Sequence, residues 1–459
     1  MAPALQPSYL ILPLASLSRS GLLLLLAAAL IAAPAAGQAD PPKLRWGERI
    51  EVASGGGFRG PWRMNESEFH YVDDPAVAIS EKGVVGVAWA DQARKDIFFQ
   101  IYEPGGKPRF KEPVNVSRSP RIFSWLPRMV IASGDAGVVH ILWQEIVFAG
   151  GSHGGEIYFA RSTDGGRTFS DPVNLSNTTG GAGKGRLTRD IWHNGSLDLV
   201  MGPEGNLYAT WTEYEGALRF SRSTDGGARF SAPTHIAGGG VAVPARGPSL
   251  AVDAKGAVYL AWAVFDAPAA DIHFAKSTDL GRSFSKPRPV FKSDGHADAP
   301  KIAVDGKGGV HLVYAESLEG PFQRYHIRYS RSNDGGRTFE KPREISGAQT
   351  AQIESANFPA LSLDGNGKLY IIWERFPPRA HYPQGLGFTS SGDGGWTFTP
   401  PSVVPGSADP ALGVNGSQQG LLMRKLAVNA AGAIAIVNST FRMNERSHVW
   451  LLRGEAAGR

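Results

Sequence analysis

Ser162–Phe169 reads STDGGRTF, and the same string returns as STDGGARF (Ser223–Phe230), STDLGRSF (Ser277–Phe284), SNDGGRTF (Ser332–Phe339) and SGDGGWTF (Ser391–Phe398). The aspartates Asp164, Asp225, Asp279, Asp334 and Asp393 stand roughly 55–60 residues apart, a spacing that belongs to a repeat architecture. Each string has a local logic. Asp and Gly-Gly make a tight turn, because the carboxylate accepts from nearby amides and glycine tolerates positive φ. The hydroxyls satisfy further turn groups, and the closing Phe returns the chain to the core. Short strands precede the strings (Ile157–Arg161, Leu218–Arg222, Ile272–Lys276, Ile327–Arg331, Leu386–Thr389), and Pro with another short strand follows, as at Pro172–Leu175 and Pro342–Ile345.

A second repeat lies between these turns. PSLAVDAKGAVYLAW (Pro248–Trp262), PKIAVDGKGGVHLVY (Pro300–Tyr314) and PALSLDGNGKLYIIW (Pro359–Trp373) each give a strand, a D-x-x-G turn and an alternating strand ending on an aromatic residue. Looser copies occupy Pro75–Trp89, Pro127–Trp143, Ser196–Trp211 and Leu422–Val437. One unit is therefore a four-stranded antiparallel blade, and blades arranged radially form an all-β propeller with few free edges. Seven blades are expected, with six and an irregular end as the alternative. His448–Arg453 supplies a third strand to the last blade, and Arg45–Val52 from the N-terminal end can supply its fourth and close the ring. Tyr102–Phe110 fills the turn slot of the first blade without the aspartate.

The chain has 459 residues, 57 Gly, 32 Pro, 11 Trp and no Cys. That length needs a modular fold, and the Gly and Pro content fits a turn-rich one. The absence of cysteine excludes disulfides, thiol catalysis and thiolate metal sites. Arg19 precedes an apolar run, Gly21–Ala33, followed by Ala35, Ala36 and Gly37. The pattern predicts a cleaved secretory signal over residues 1–37 and one propeller domain over 38–459, in a secreted or periplasmic protein. No later segment has the length and apolarity of a membrane span. A net charge of +5 without a dense Lys/Arg run gives no support to nucleic-acid binding.

The turn string resembles the Asp-box, or bacterial neuraminidase repeat, and the chain from about Trp46 to Arg453 resembles the sialidase-type propeller superfamily. The resemblance implies that Asp164, Asp225, Asp279, Asp334 and Asp393 are structural, on outer turns away from a central site. It implies a glycoside hydrolase of exo-α-sialidase type acting on a terminal anionic sugar. In that chemistry arginines clamp the substrate carboxylate, an acid protonates the leaving oxygen, and a tyrosine attacks where a carboxylate nucleophile would be repelled by the anionic sugar. The nearest counterpart to the family's F-R-I-P string is Trp125-Leu126-Pro127-Arg128. Asp-boxes also occur in propellers without hydrolytic activity, so a glycan- or protein-binding propeller, or an assembly scaffold, is the alternative.

Residues at the starts of innermost strands are the place to search for a site. Arg128, Arg246 and Arg424 are candidates to bind the anionic group, with local ion pairing as the alternative. Asp73, Asp190 and Glu354 are candidate acids or bases, and Tyr382 is the candidate nucleophile. His70, Asp74, His193, His296 and Asp298 gather at the same positions. A third series (Trp89-Ala90-Asp91, Trp143-Gln144-Glu145, Trp211-Thr212-Glu213, Tyr314-Ala315-Glu316, Trp373-Glu374) reads first as structure and second as a sugar-stacking ring. No cofactor or catalytic metal is expected. The D-x-x-G turns at Asp253, Asp305 and Asp364 carry a weak likeness to Ca²⁺ loops and read as plain hairpin turns. The expected partner is a glycan or glycoprotein, and the expected state is a monomer.

Overall fold

The computed structural model describes residues 44–61, 63, 66–120, 122–132, 137–145, 155–178, 197–213, 216–239, 243–264, 269–321, 323–347, 355–416 and 424–456. The expected signal segment lies outside them. The chain is an all-β propeller of seven antiparallel blades, and the alternating repeats are its strands. Blade 1 is Val72–Ile79, Val85–Asp91, Asp96–Tyr102 and Val114–Asn115. Blade 2 starts on Ser124–Ile131, blade 3 on Leu197–Met201, blade 4 on Ala245–Val252, blade 5 on His296–Val304 and blade 6 on Ser355–Leu363. Blade 7 joins both ends of the chain: Leu426–Val428, Ile434–Arg442 and Arg446–Ala456 are completed by Leu44–Trp46 and Ile50–Gly55 on the last strand. The closure expected from Arg45–Val52 is therefore the one observed.

Each Asp-box closes the turn from the third to the fourth strand. In the first, Ser162 Oγ and Thr168 Oγ1 donate to Asp164 at 2.7 and 2.6 Å, and Thr168 N donates at 3.0 Å. The box also reaches sideways. The glycine two residues after the box aspartate, at positive φ, lies against an aromatic ring in the third strand of the preceding blade: Gly166 on Phe99, Gly227 on Phe159, Gly281 on Phe220, Gly336 on Phe274 and Gly395 on Tyr329. The box Phe meets the same ring edge-on, with centroids 5.4 Å apart for Phe99–Phe169 and 4.8 Å for Phe220–Phe284. A cation just before one box donates to the carbonyl of the next, as from Arg161 to Gly226 at 3.0 Å and from Arg331 to Gly394 at 2.9 Å.

The hydrophobic core follows the same plan, since its clusters span seams between blades. Val87, Trp89, Val437 and Leu451 join blades 1 and 7, and Ile372, Phe388, Ile436 and Trp450 join blades 6 and 7.

Because Gly281 sits at φ 78° with a built Cβ only 2.8 Å from Phe220 Cζ, Gly281→Ala is expected to cost roughly 1–3 kcal/mol in urea unfolding. The box aspartates also set an acid limit. For Asp164, partial burial raises the pKa, but the bonds from Thr168 and Ser162 outweigh it and hold it down to about 2. For Asp279 and Asp334 the bonds from Ser283 and Thr338 lead and the direction is the same. A carboxylate that binds its proton more weakly when folded contributes stability above its unfolded pKa of about 4, and that contribution is lost as pH falls through the folded value. Melting temperature should therefore fall most steeply between about pH 4 and about pH 2, less so in Asp164→Asn. A flat profile there, in circular dichroism melts, would contradict the assignment.

Candidate functional site

The site begins with a recurring backbone device. In the innermost strands of blades 1, 2, 4, 5 and 6 the register slips at an X-Pro step. The residue before each proline has positive φ: Asp74 51°, Leu126 55°, Gly247 52°, Ala299 53° and Phe358 50°. Proline disfavours the right-handed helical region for the residue before it, and a bulge re-aims the side chains on either side. The flanking residues are Asp73, Trp125, Arg246, Asp298 and Asn357 before the step, and Ala76, Arg128, Ser249, Lys301 and Ala360 after it. Arg128, Arg246, Asp298 and Lys301 are thus placed by the device in blades 2, 4 and 5.

These groups form a charged network across blades. Arg128 is 2 % exposed, with Nε 4.0 Å from Asp198 Oδ1. Arg424 donates from Nη2 to the same carboxylate at 3.0 and 3.1 Å, and Leu250 N donates to its Oδ2 at 2.9 Å. Arg246 Nη1 lies 3.7 Å from Asp298 Oδ2, and its Nη2 lies 3.4 Å from His296 Nε2. Guanidinium can only donate, so His296 Nε2 accepts, and in the neutral ring Nδ1 carries the proton toward Tyr325 Oη at 3.0 Å. Lys301 joins the two halves electrostatically. Burial pushes it down to about 7, Arg128 and Arg424 add to the fall, and Asp198 and Asp298 oppose it. Burial also lowers Arg128 to about 10, against the pull of Asp198.

The three arginines singled out in the sequence are brought into this network, Arg128 and Arg424 through Asp198, and Arg246 through Asp298 and His296. Asp73 and Tyr382 lie elsewhere. They line one cavity of about 280 Å³, and none of Arg128, Arg246 and Arg424 is among its described walls. Asp190, His193 and Glu354 lie outside the described residues. Asp198, Lys301 and Tyr325 escaped the sequence reading. Lys301 could have been found by aligning P-K at Pro300 with P-R at Pro127; Asp198, in a strand without the X-Pro step, carried no such signal.

The third series is structural. Trp143, Trp211 and Trp373 are fully buried and cannot stack on a sugar. Their carboxylates are engaged: Glu213 with Arg219 at 3.0 Å, Glu316 with Arg328 at 2.8 Å, Glu374 with Lys425 and Asn415, and Glu145 with Trp143 Nε1 at 3.0 Å. The D-x-x-G aspartates accept from their own turns, as Asp253 does from Lys255 N and Ala257 N, both at 2.9 Å.

No protein-family model matches the chain, and no curated protein matches it. Solved structures do. An ulvan lyase of polysaccharide lyase family PL25, bound to a glucuronate–sulfated rhamnose unit, is similar with a TM-score of 0.55 at 11% identity over 88% of this chain and 95% of its own. Another polysaccharide lyase gives 0.52 at 11% identity over 89% of this chain and 99% of its own. The α-L-arabinanase of Penicillium chrysogenum gives 0.48 at 13% identity over 88% and 98%. At these identities the likeness to the two lyases shows the fold, a seven-bladed propeller, and no more. Among the described residues no helix is long and apolar enough to cross a membrane.

Removing the negative charge at Asp198 takes from the buried Arg128 the larger of the two carboxylate attractions acting on it, Asp74 exerting the smaller, and takes from Arg424 its carboxylate partner. Asp198→Asn is therefore expected to cost about 3–5 kcal/mol in urea unfolding, and Arg424→Gln, at a side chain 31% exposed, clearly less.

Proposed function

We propose that this protein is a carbohydrate-acting enzyme that cleaves an anionic glycan at the mouth of its central channel. The observation that carries the reading is the gathering of Arg128, Arg246, Arg424 and Lys301, from four blades, around Asp198 and Asp298. Forked guanidinium groups suit a carboxylate or sulfate, and a low-dielectric channel strengthens their pull. The fold-level likeness to an ulvan lyase and another polysaccharide lyase supports a glycan as the substrate.

Two reactions fit an anionic sugar held there. The first is hydrolysis of exo-α-sialidase type, for which the sequence offers Asp73, Asp190, Glu354 and Tyr382 as acid and nucleophile, with Asp73 and Tyr382 on the separate cavity. The second is elimination at a uronate, favoured by a specific feature: Lys301, held near 7, is a base able to work at neutral pH. Its neutral amine takes the proton on the carbon next to the carboxylate. The bond from the next carbon to the leaving sugar oxygen breaks, and that oxygen takes a proton from Tyr325. The product keeps a carbon–carbon double bond. A secreted or periplasmic setting and a monomeric state accord with this role. In a non-catalytic propeller the same cluster would serve binding alone.

The test is turnover on fluorogenic sialosides and on uronate-containing polysaccharides, the second read by the ultraviolet absorbance of the unsaturated product. Arg246→Ala is expected to lower kcat/KM by about 100-fold or more, whereas Asp279→Ala, on the opposite end of the propeller, leaves it within about twofold. For elimination the rate should rise with pH through about 7, as Lys301 loses its proton. Folded protein that turns over no anionic glycan at any pH would refute the reading.

A further inference from the structure

The cavity of about 280 Å³ at the junction of blades 6, 7 and 1 has no part in the charged network. Its walls come from one end of the propeller: the start of the innermost strand of blade 1 (Tyr71, Val72, Asp73), the end of the second strand of blade 7 (Phe441, Arg442, Met443), Tyr382 between the second and third strands of blade 6, and Arg59. That end also carries the strand starts of the channel cluster, and the Asp-box turns lie at the other. Phe441 and Tyr71 meet edge to face at 5.3 Å, and Val414 extends the apolar wall. Tyr382 and Met443 are 43% and 54% exposed, an unusual outlay of apolar surface for a rim. Asp73 supplies a buried carboxylate whose Oδ1 accepts from Gln92 Nε2 at 2.8 Å, while Gln92 Oε1 accepts from Trp125 Nε1 at 2.5 Å. Its acceptor is thereby fixed in place by a chain running from blade 1 into blade 2.

We infer that this cavity binds one uncharged sugar unit of a glycan, as a subsite beside the anionic site. Its composition selects that class. An anion would face the Asp73 carboxylate, and a cation would face Arg59 and Arg442. A neutral ring can lay its C–H face on Tyr71, Phe441 and Tyr382, give a hydroxyl hydrogen to Asp73, and accept from the guanidinium groups at the rim. The volume lies near the lower end of ligand pockets, about 300 Å³, which suits a single ring or a short disaccharide. Asp73 and Asp74 are adjacent in the chain, and Asp74 acts electrostatically on Arg128, so the subsite and the channel cluster share one strand. The inference rests on the proposed glycan reading for its biological ligand, but not on catalysis.

The experiment is binding of a panel of neutral methyl glycosides and disaccharides, free of carboxylate and sulfate, to the full chain by saturation-transfer NMR and calorimetry. Tyr382→Ala and Arg59→Ala, both at exposed positions, are expected to fold normally and to weaken binding tenfold or more. Arg246→Ala should leave it unchanged. Wild-type protein that binds no neutral saccharide, or binding indifferent to both rim substitutions, overturns the inference. Loss of binding in Arg246→Ala would assign the neutral sugar to the channel instead, and overturn it equally. Neutral-sugar binding without any turnover of anionic glycans would sink the enzymatic reading and leave the subsite standing.

Discussion

A glycine without a side chain, pressed on an aromatic ring of the blade before it, is the contact on which the ring depends. A single four-stranded blade cannot bury both of its faces, so each must find a neighbour on either side at a fixed tilt and distance. Gly166, Gly227, Gly281, Gly336 and Gly395 set that distance, because any Cβ there would collide with the facing ring. The box Phe then grips the ring edge, and the cation preceding the box ties off the next turn. The box aspartate acts one step removed. It holds the turn so that glycine and Phe arrive together.

The seams that lack a box show the same need met by other means. Blade 7 takes its outer strands from the N-terminal end, and there Trp46 meets Phe388 of blade 6 edge-on at 5.7 Å, in the role that box Phe residues fill elsewhere. Blade 1 has no box aspartate, but Arg453 of blade 7 donates to the carbonyls of Glu103 and Gly83 at 3.2 and 2.7 Å, as Arg161 and Arg331 do at their seams. Lys425 adds a buried link from blade 7 to Glu374 of blade 6. A fold closed by both ends of its chain thus keeps the geometry of the internal seams without their sequence.

Much of this was legible in the sequence, because the Asp-box and the D-x-x-G hairpin are local: every partner of Asp164 within the turn lies a few residues away. Strand order, ring closure and the structural role of the boxes follow from such strings. The placement of Arg128, Arg246 and Arg424 at strand starts was also readable. What was hidden is pairing across blades. Arg424 finds Asp198 across 226 residues, and no spacing rule links them. Asp73 and Tyr382 were singled out separately as catalytic groups, and only the ring geometry puts them on one cavity wall. The tryptophans of the third series read first as structure, as they are, and the sugar-stacking alternative stayed open for a related reason. Alternation gives their face of the strand but not whether a neighbouring blade covers it, and it does.

Charged side chains gather where a shared backbone device is loaded with different residues. Five blades use the same strained X-Pro bulge, yet the residue after it is Ala76, Arg128, Ser249, Lys301 or Ala360. Ala76 and Ala360 show that the bulge itself asks for nothing larger than a methyl group. Concentrating Arg128, Lys301, Asp198 and Asp298 in a narrow channel is therefore not required by the fold. It also opposes stability, because burying charges costs several kcal/mol per ion unless their pairing is good, and apolar replacements of such groups often stabilise a protein. Arg128 shares the Asp198 carboxylate with Arg424, and Lys301 is drawn down to about 7 by its burial and by the two arginines. Charges of both signs, drawn from several blades to the place where the innermost strands converge, are the feature on which the proposed anionic ligand would act.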